Sequence, residues 1–118
     1  MSFVGTVRDV SRGDRVTSIF YDVYEPLALS ESESILWDAQ KRWNVLAAIH
    51  HRIGLVLAGE TSIVIAVSSP HRSDAFQACA WVLEQVKSRV PIWKHENYEG
   101  GWRWIEGSEA YESRARPK

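Results

Sequence analysis

Apolar residues recur along this chain with two different periods, and each change of period marks an element. Over 16–24 (VTSIFYDVY) β-branched and aromatic residues alternate, with Thr17, Ile19, Tyr21 and Val23 on one face. This predicts a strand, ended by Pro26. Ser30-Glu31-Ser32-Glu33 has the Ser-x-x-Glu form of a capping box, and behind it Leu36, Ala39 and Trp43, with Ile35 alongside, return at helical spacing. A helix over about 31–43 follows from that pattern. Residues 45–51 (VLAAIHH) predict a strand, 53–57 continue extended, and Ala58-Gly59-Glu60 makes a turn. Residues 62–69 (SIVIAVSS) are nearly all apolar, which predicts a central strand buried on both faces.

After the break at Ser69-Pro70-His71-Arg72-Ser73, Ser73 is placed as an N-cap with Asp74 in the first helical turn. Phe76, Cys79, Ala80, Leu83 and Val86 share one face of a second helix that runs to about Arg89 and stops at Pro91. Short strands are expected over 92–96 and 102–105, around a turn at 97–101. A short apolar strand with a glycine, 3–7, comes before a turn at Ser11-Arg12-Gly13-Asp14. The order β-α-β-β-α-β-β predicts an α+β fold with two main helices and a mixed or antiparallel sheet. It forms one domain over 1–107, with a polar, frayed tail at 108–118. No glycine-rich loop follows a strand, so neither a dinucleotide fold nor a P-loop is supported.

Composition narrows the function classes. With 118 residues, 45% hydrophobic and 25% charged, the chain is too apolar for global disorder. Fourteen Lys and Arg against fifteen Asp and Glu give a net charge of −1, which argues against a nucleic-acid coat or a polybasic membrane anchor. No apolar run approaches the ~18 residues of a membrane span. The start of the chain lacks the basic and apolar regions of a signal peptide. A soluble cytoplasmic protein is the expectation. The single cysteine, Cys79, excludes an internal disulfide. Its place on the apolar helix face points to packing, with thiol catalysis as the competing reading. Six tryptophans, four of them from Trp81 to Trp104, fit either core packing or a partner surface. His50 and His51 are adjacent on a strand and point to opposite faces, which speaks against a metal pair. No metal or redox cofactor is expected.

Candidate chemistry lies in scattered cations. Arg8 follows the first strand. His71 and Arg72 sit at a strand-to-helix junction, where backbone N–H groups are free. Lys87 lies at the end of that helix, and Lys94 lies in Val90-Pro91-Ile92-Trp93-Lys94-His95-Glu96. Each alone has an ordinary explanation, such as a solvated strand end or a charge that complements a helix C-terminus. Together they point to an anion site.

Phe3-Val4-Gly5-Thr6-Val7-Arg8, Tyr21-Asp22-Val23-Tyr24, His51-Arg52-Ile53-Gly54, Gly59-Glu60, Ser68-Ser69-Pro70-His71-Arg72-Ser73-Asp74-Ala75-Phe76, Lys87 and the segment from Val90 to Glu96 occur in that order. From Phe3 to about Glu106 the series resembles the catalytic (large) subunit family of molybdopterin synthase. The resemblance implies a hammerhead-like α+β fold. It also implies a reaction of molybdenum cofactor biosynthesis, in which cyclic pyranopterin monophosphate becomes molybdopterin by gaining two sulfurs. Sulfur would arrive as a thiocarboxylate on the C-terminal Gly-Gly tail of a small ubiquitin-like subunit, docked on a central homodimer within a heterotetramer. Arg8, His71 and Arg72 would bind the anionic substrate, as guanidinium forks suit phosphate. Lys87 and Lys94 would stand at the reacting centre, to stabilise an oxyanion or to move protons. Thr6, Val7, His95 and Glu96 would line the site, partly through backbone. Asp22 stands where the family usually has Glu, and Arg103 is a candidate for a basic residue that the family often has in that region. The alternative is a noncatalytic module for an anionic ligand that has kept the fold.

His71 and Lys87 are sixteen residues apart, or roughly 24 Å along a straight helix. That is too far for one small pocket within a protomer. If both serve one substrate, the site is shared across a homodimer interface.

Overall fold

The computed structural model describes residues 1–106 and 109–114. In chain order the elements are β1 (Ser2–Thr6), β2 (Val10–Ser11), β3 (Asp14–Val23), α1 (Glu25–Arg42), β4 (Leu46–His51), β5 (Gly54–Leu57), β6 (Thr61–Ser68), α2 (Arg72–Arg89), β7 (Ile92–Tyr98), β8 (Gly101–Glu106) and β9 (Glu109–Arg114). The α+β class with two helices holds, but from β3 to β8 the order is β-α-β-β-β-α-β-β: residues 54–57, expected to continue the preceding strand, form β5, which leaves β4 at 52–53 and pairs with β3 in the other sheet. The ladders between the described strands are all antiparallel. One sheet has the order β1-β6-β4. The other has β2-β3-β7-β8-β9, with β5 on the free side of β3.

Both helices lie on the first sheet. Ile35 and Ala39 of α1, Ile63, Ile65 and Val67 of β6, and Ala75, Ala78, Cys79, Val82 and Val86 of α2 form its core. A smaller core of Val7, Val16, Ile19, Tyr21 and Val56 belongs to the second sheet. The molecule is elongated, 60 × 26 × 20 Å, with a radius of gyration of 16.0 Å. A round domain of this length would have roughly 13.5 Å.

Four local expectations are corrected by packing. The first helix begins at Glu25, well before Ser30-Glu33, because a proline in the first turn has no intrahelical N–H to forfeit. Pro26 therefore starts the helix as well as ending the strand, and Tyr24 is the N-cap. In α2 the N-cap is His71, not Ser73. Its buried stripe is Ala75, Ala78, Cys79, Val82 and Val86, while Phe76 is 56% exposed. Small residues on that stripe let the helix close on the sheet. In β6 one face is covered along its length, with Ile63, Ile65 and Val67 buried under the helices; on the other face Ser62 is buried and Val64 half-buried, but Ala66 and Ser68 are exposed. Finally, β9 pairs with β8 in a stretch expected to be a frayed tail. Backbone ladder bonds need no apolar side chains, and an unpaired edge strand is a liability. Residues 108 and 115–118 of that tail lie outside the described residues.

Arg103 is fully buried on β8. Its Nε lies 3.0 Å from Glu96 Oε1 on β7, Nη2 donates to Asp14 Oδ2 at the start of β3, and the guanidinium covers the Tyr98 ring at 4.1 Å. The pairing joins three strands. Removing one partner of a buried ion pair leaves an uncompensated charge in low dielectric. Arg103→Ala is expected to lower stability by about 3–5 kcal/mol in a urea titration, and a loss below about 1 kcal/mol would show that the pair is not structural.

Candidate active site

The site begins where β1 ends. Val7 is held by the turn between β5 and β6: its N–H donates to Glu60 O (2.9 Å) and its carbonyl accepts from Gly59 N–H (2.7 Å). Gly59 has φ +87°, a left-handed conformation that favours glycine. This clamp fixes where Arg8 leaves the strand. Gly5 keeps the wall thin, since a Cβ there would meet Ile63 Cγ2 at 2.7 Å.

Lys87 comes from the last turn of α2, and Lys94 and Glu96 from one face of β7. With Thr6, Val7 and Arg8 they line a cleft of about 780 Å³ between the two sheets. Six of the nine residues singled out from the sequence thus meet in one place. His95 does not: on a strand its side chain takes the opposite face, where its ring stacks on Trp102 (4.7 Å) and meets Trp104 edge-on (4.9 Å). His71 and Arg72 lie at the far end of α2 and are exposed, outside the cleft of their own chain. The tryptophans fall between the two readings: Trp37, Trp93 and Trp102 are exposed and the other three half-buried.

The electrostatics follow from the geometry. Burial pushes the Lys94 ammonium below its ordinary pKa, the charges of Lys87 and Arg8 push it further, and Glu96 opposes them. Glu96 is itself engaged by Arg103, so its help is shared. The cleft therefore holds four cations, Arg8, Arg12, Lys87 and Lys94, with one carboxylate among them, an arrangement suited to an anion such as a phosphate.

Lys87 and Lys94 also line a second cavity of about 400 Å³, whose other walls include Val86, Val90 and Ile92. The two ammonium groups stand where a charged cleft meets a smaller, more apolar cavity. Sequence reasoning missed two polar groups there, Tyr21 and Ser62. The Tyr21 hydroxyl is bonded to the Ser62 side chain, burial raises its pKa, and Ser62 Oγ donates to Gly5 O (3.2 Å). A tyrosine on the inward face of a strand was the available signal, because a buried phenol needs a hydrogen-bond partner. Among the described residues no cluster of His, Cys, Asp or Glu could hold a metal ion, and no helix is long and apolar enough to cross a membrane.

The sequence pattern of the MoaE protein family matches residues 1–89. The chain belongs to the MoaE family. It is 47% identical over 106 residues to a molybdopterin synthase catalytic subunit of Thermoplasma volcanium, covering 86% of this chain and 77% of the relative. The Bacillus subtilis catalytic subunit is 44% identical over 105 residues, covering 88% and 67%. The crystal structure of molybdopterin synthase from Staphylococcus aureus superposes with a TM-score of 0.85 at 36% identity, over 89% of this chain and 77% of that one. A subunit 1 and 2 complex of molybdopterin-converting factor from Helicobacter pylori shares the fold, with a TM-score of 0.71 at 23% identity, over 98% and 71%. Family membership makes this chain a catalytic subunit of the sulfurtransferase class and disfavours the noncatalytic module.

A lysine crowded by like charges stabilises the fold less than an apolar residue of similar length. Lys94→Met is expected to raise the thermal midpoint by about 4 °C, the shift that ~1 kcal/mol gives a domain of this size, read by calorimetry at neutral pH. A lowered midpoint would mean that Lys94 is well compensated.

Proposed function

We propose that this chain, in the cytoplasm, moves sulfur from the C-terminal thiocarboxylate of a small ubiquitin-like subunit onto cyclic pyranopterin monophosphate, twice, to give molybdopterin. The observation that carries this reading is the position of Lys87 and Lys94 at the junction of the two cavities. The cationic cleft, with Arg8, suits the cyclic phosphate. The smaller, more apolar cavity suits a thin, extended Gly-Gly tail. Sulfur and pterin then meet between two ammonium groups.

The chemistry of those groups fits each step. When the tail's sulfur has bonded to the pterin, the acyl carbon must be released from it. An ammonium beside that carbonyl stabilises the oxyanion that forms as a nucleophile adds. Lys94, with its depressed pKa, is also the lysine nearer to giving up a proton as the phosphate ring opens. Cys79 is unsuited to the sulfur chemistry. It is buried in the α2 core and burial pushes its thiol pKa up, the reverse of what a nucleophilic thiol requires.

His71 and Arg72 complete the site from a second copy of the chain. They begin an 18-residue helix that ends near Lys87, and such a helix is roughly 27 Å long. Both ends reach one substrate only if two protomers contribute. The assembly is then a central homodimer with a carrier subunit at each end; the subunit 1 and 2 complex of molybdopterin-converting factor from Helicobacter pylori supports the partner subunit.

Lys87→Ala should reduce dithiolene formation from thiocarboxylated partner and cyclic pterin by at least about a hundredfold, with the dimer retained in size-exclusion chromatography. Arg72→Ala should also be inactive. Mixed and re-equilibrated, the two variants should recover about a quarter of wild-type activity, because half the dimers are mixed and each of those has one intact site. A mixture without recovery would place each site within one protomer.

A further inference from the structure

The geometry points to His51 as the general base that activates water to release the carrier tail from the pterin. This rests on the sulfur-transfer reading above and assigns a residue that the reading does not use.

His51 is the last residue of β4, half-buried, and it lines the smaller cavity together with Lys87 and Lys94. Two contacts fix the ring. Its edge meets Tyr21, with centroids 4.9 Å apart and planes at 75°. Its Nδ1 lies 2.6 Å from Arg52 O. A carbonyl oxygen only accepts, so Nδ1 carries the proton and donates. The neutral ring then has its lone pair on Nε2, which has no protein partner among the described residues. A bonded Nδ1–H that orients a free Nε2 is the arrangement a histidine base needs.

The groups around it keep that lone pair available. Burial lowers the His51 pKa, the carbonyl bond opposes this, and the Lys94 charge lowers it further. Lys87 faces the same cavity from α2, and Tyr21 and Ser62 face it from β3 and β6. Glu25 of α1 lines a separate small cavity that His51 also borders. Arg52 turns to Glu60, 3.7 Å away. His51 is therefore neutral at neutral pH.

The step balances without a redox partner. Once the thiocarboxylate sulfur is bonded to the pterin carbon, the tail is held as a thioester. Water attacks its acyl carbon, a C–O bond forms, and one water proton passes to Nε2. The C–S bond breaks and its electron pair stays on sulfur, leaving a pterin thiolate beside the lysine ammonium groups. The new carboxyl group of the tail loses the second proton to solvent.

His51→Asn keeps a donor for the Arg52 carbonyl and removes Nε2. With thiocarboxylated partner and cyclic pterin, the expected result is a fall in the single-turnover rate of about 10²-fold or more. A partner–pterin thioester should accumulate, detectable by mass spectrometry, and the acidic limb of the pH–rate profile should vanish. A rate within about twofold of wild type, with the acidic limb intact, overturns the proposal. If His51→Asn does not fold, the wild-type profile decides: an acidic limb that coincides with the His51 titration followed by NMR supports the role, and a profile without one overturns it. Wild-type protein that makes no dithiolene overturns the sulfur-transfer reading itself, and the His51 role with it.

Discussion

Arg103 is buried at the centre of the second sheet, and the carboxylates that offset it, Glu96 and Asp14, come from the strand beside it and from the start of the strand beyond. A guanidinium cannot lose its proton in the interior, so these partners are committed to it. Glu96 shares a face of β7 with Lys94 and would otherwise be the natural counter-ion of the cleft. Because Arg103 engages it, Lys94 keeps like-charged neighbours and an incomplete counter-charge. One structural ion pair thus sets both the alignment of β3, β7 and β8 and the surplus of positive charge that attracts an anion.

That surplus opposes folding and favours binding. Two lysines and two arginines converging on one cleft repel each other until an anion arrives, so part of the substrate's affinity comes from relieving the repulsion. The charged cleft runs along the seam between the two sheets, and both cores reach its wall: Ile63 of the core under the helices, and Val7, Ile19 and Tyr21 of the core of the second sheet.

Helix α2 links the two halves of the functional argument. Its small-residue stripe anchors it to β6, and its C-terminal turn delivers Lys87 to the seam. Arg89, one turn's end further, binds Glu31, Ser34 and Asp38 of α1 and fixes the helix pair. The other end of α2 carries His71 and Arg72 to the surface, where they are available to a neighbouring copy of the chain.

Periodicity in the sequence was enough for the two helices and most strands, because apolar spacing reflects which face must leave water. It was not enough for the start of α1 or the stripe on α2, where Pro26 and the small residues Ala75 and Ala78 have meaning only once a neighbouring surface is present. For the site, the motifs around Arg8, Lys87 and Lys94 were legible because their residue types are unusual for bland packing. The alternation of a strand decided the rest: Lys94 and Glu96 face the cleft while His95 turns to Trp102 and Trp104. By itself the sequence determined the α+β class, the cations and the family they resemble. Only the tertiary structure decided which cations converge, that Glu96 is shared with a buried Arg103, and that Tyr21, Ser62 and His51 join the lysines. The physical reason is that convergence of residues distant along the chain is set by strand pairing and helix packing, which no local spacing encodes.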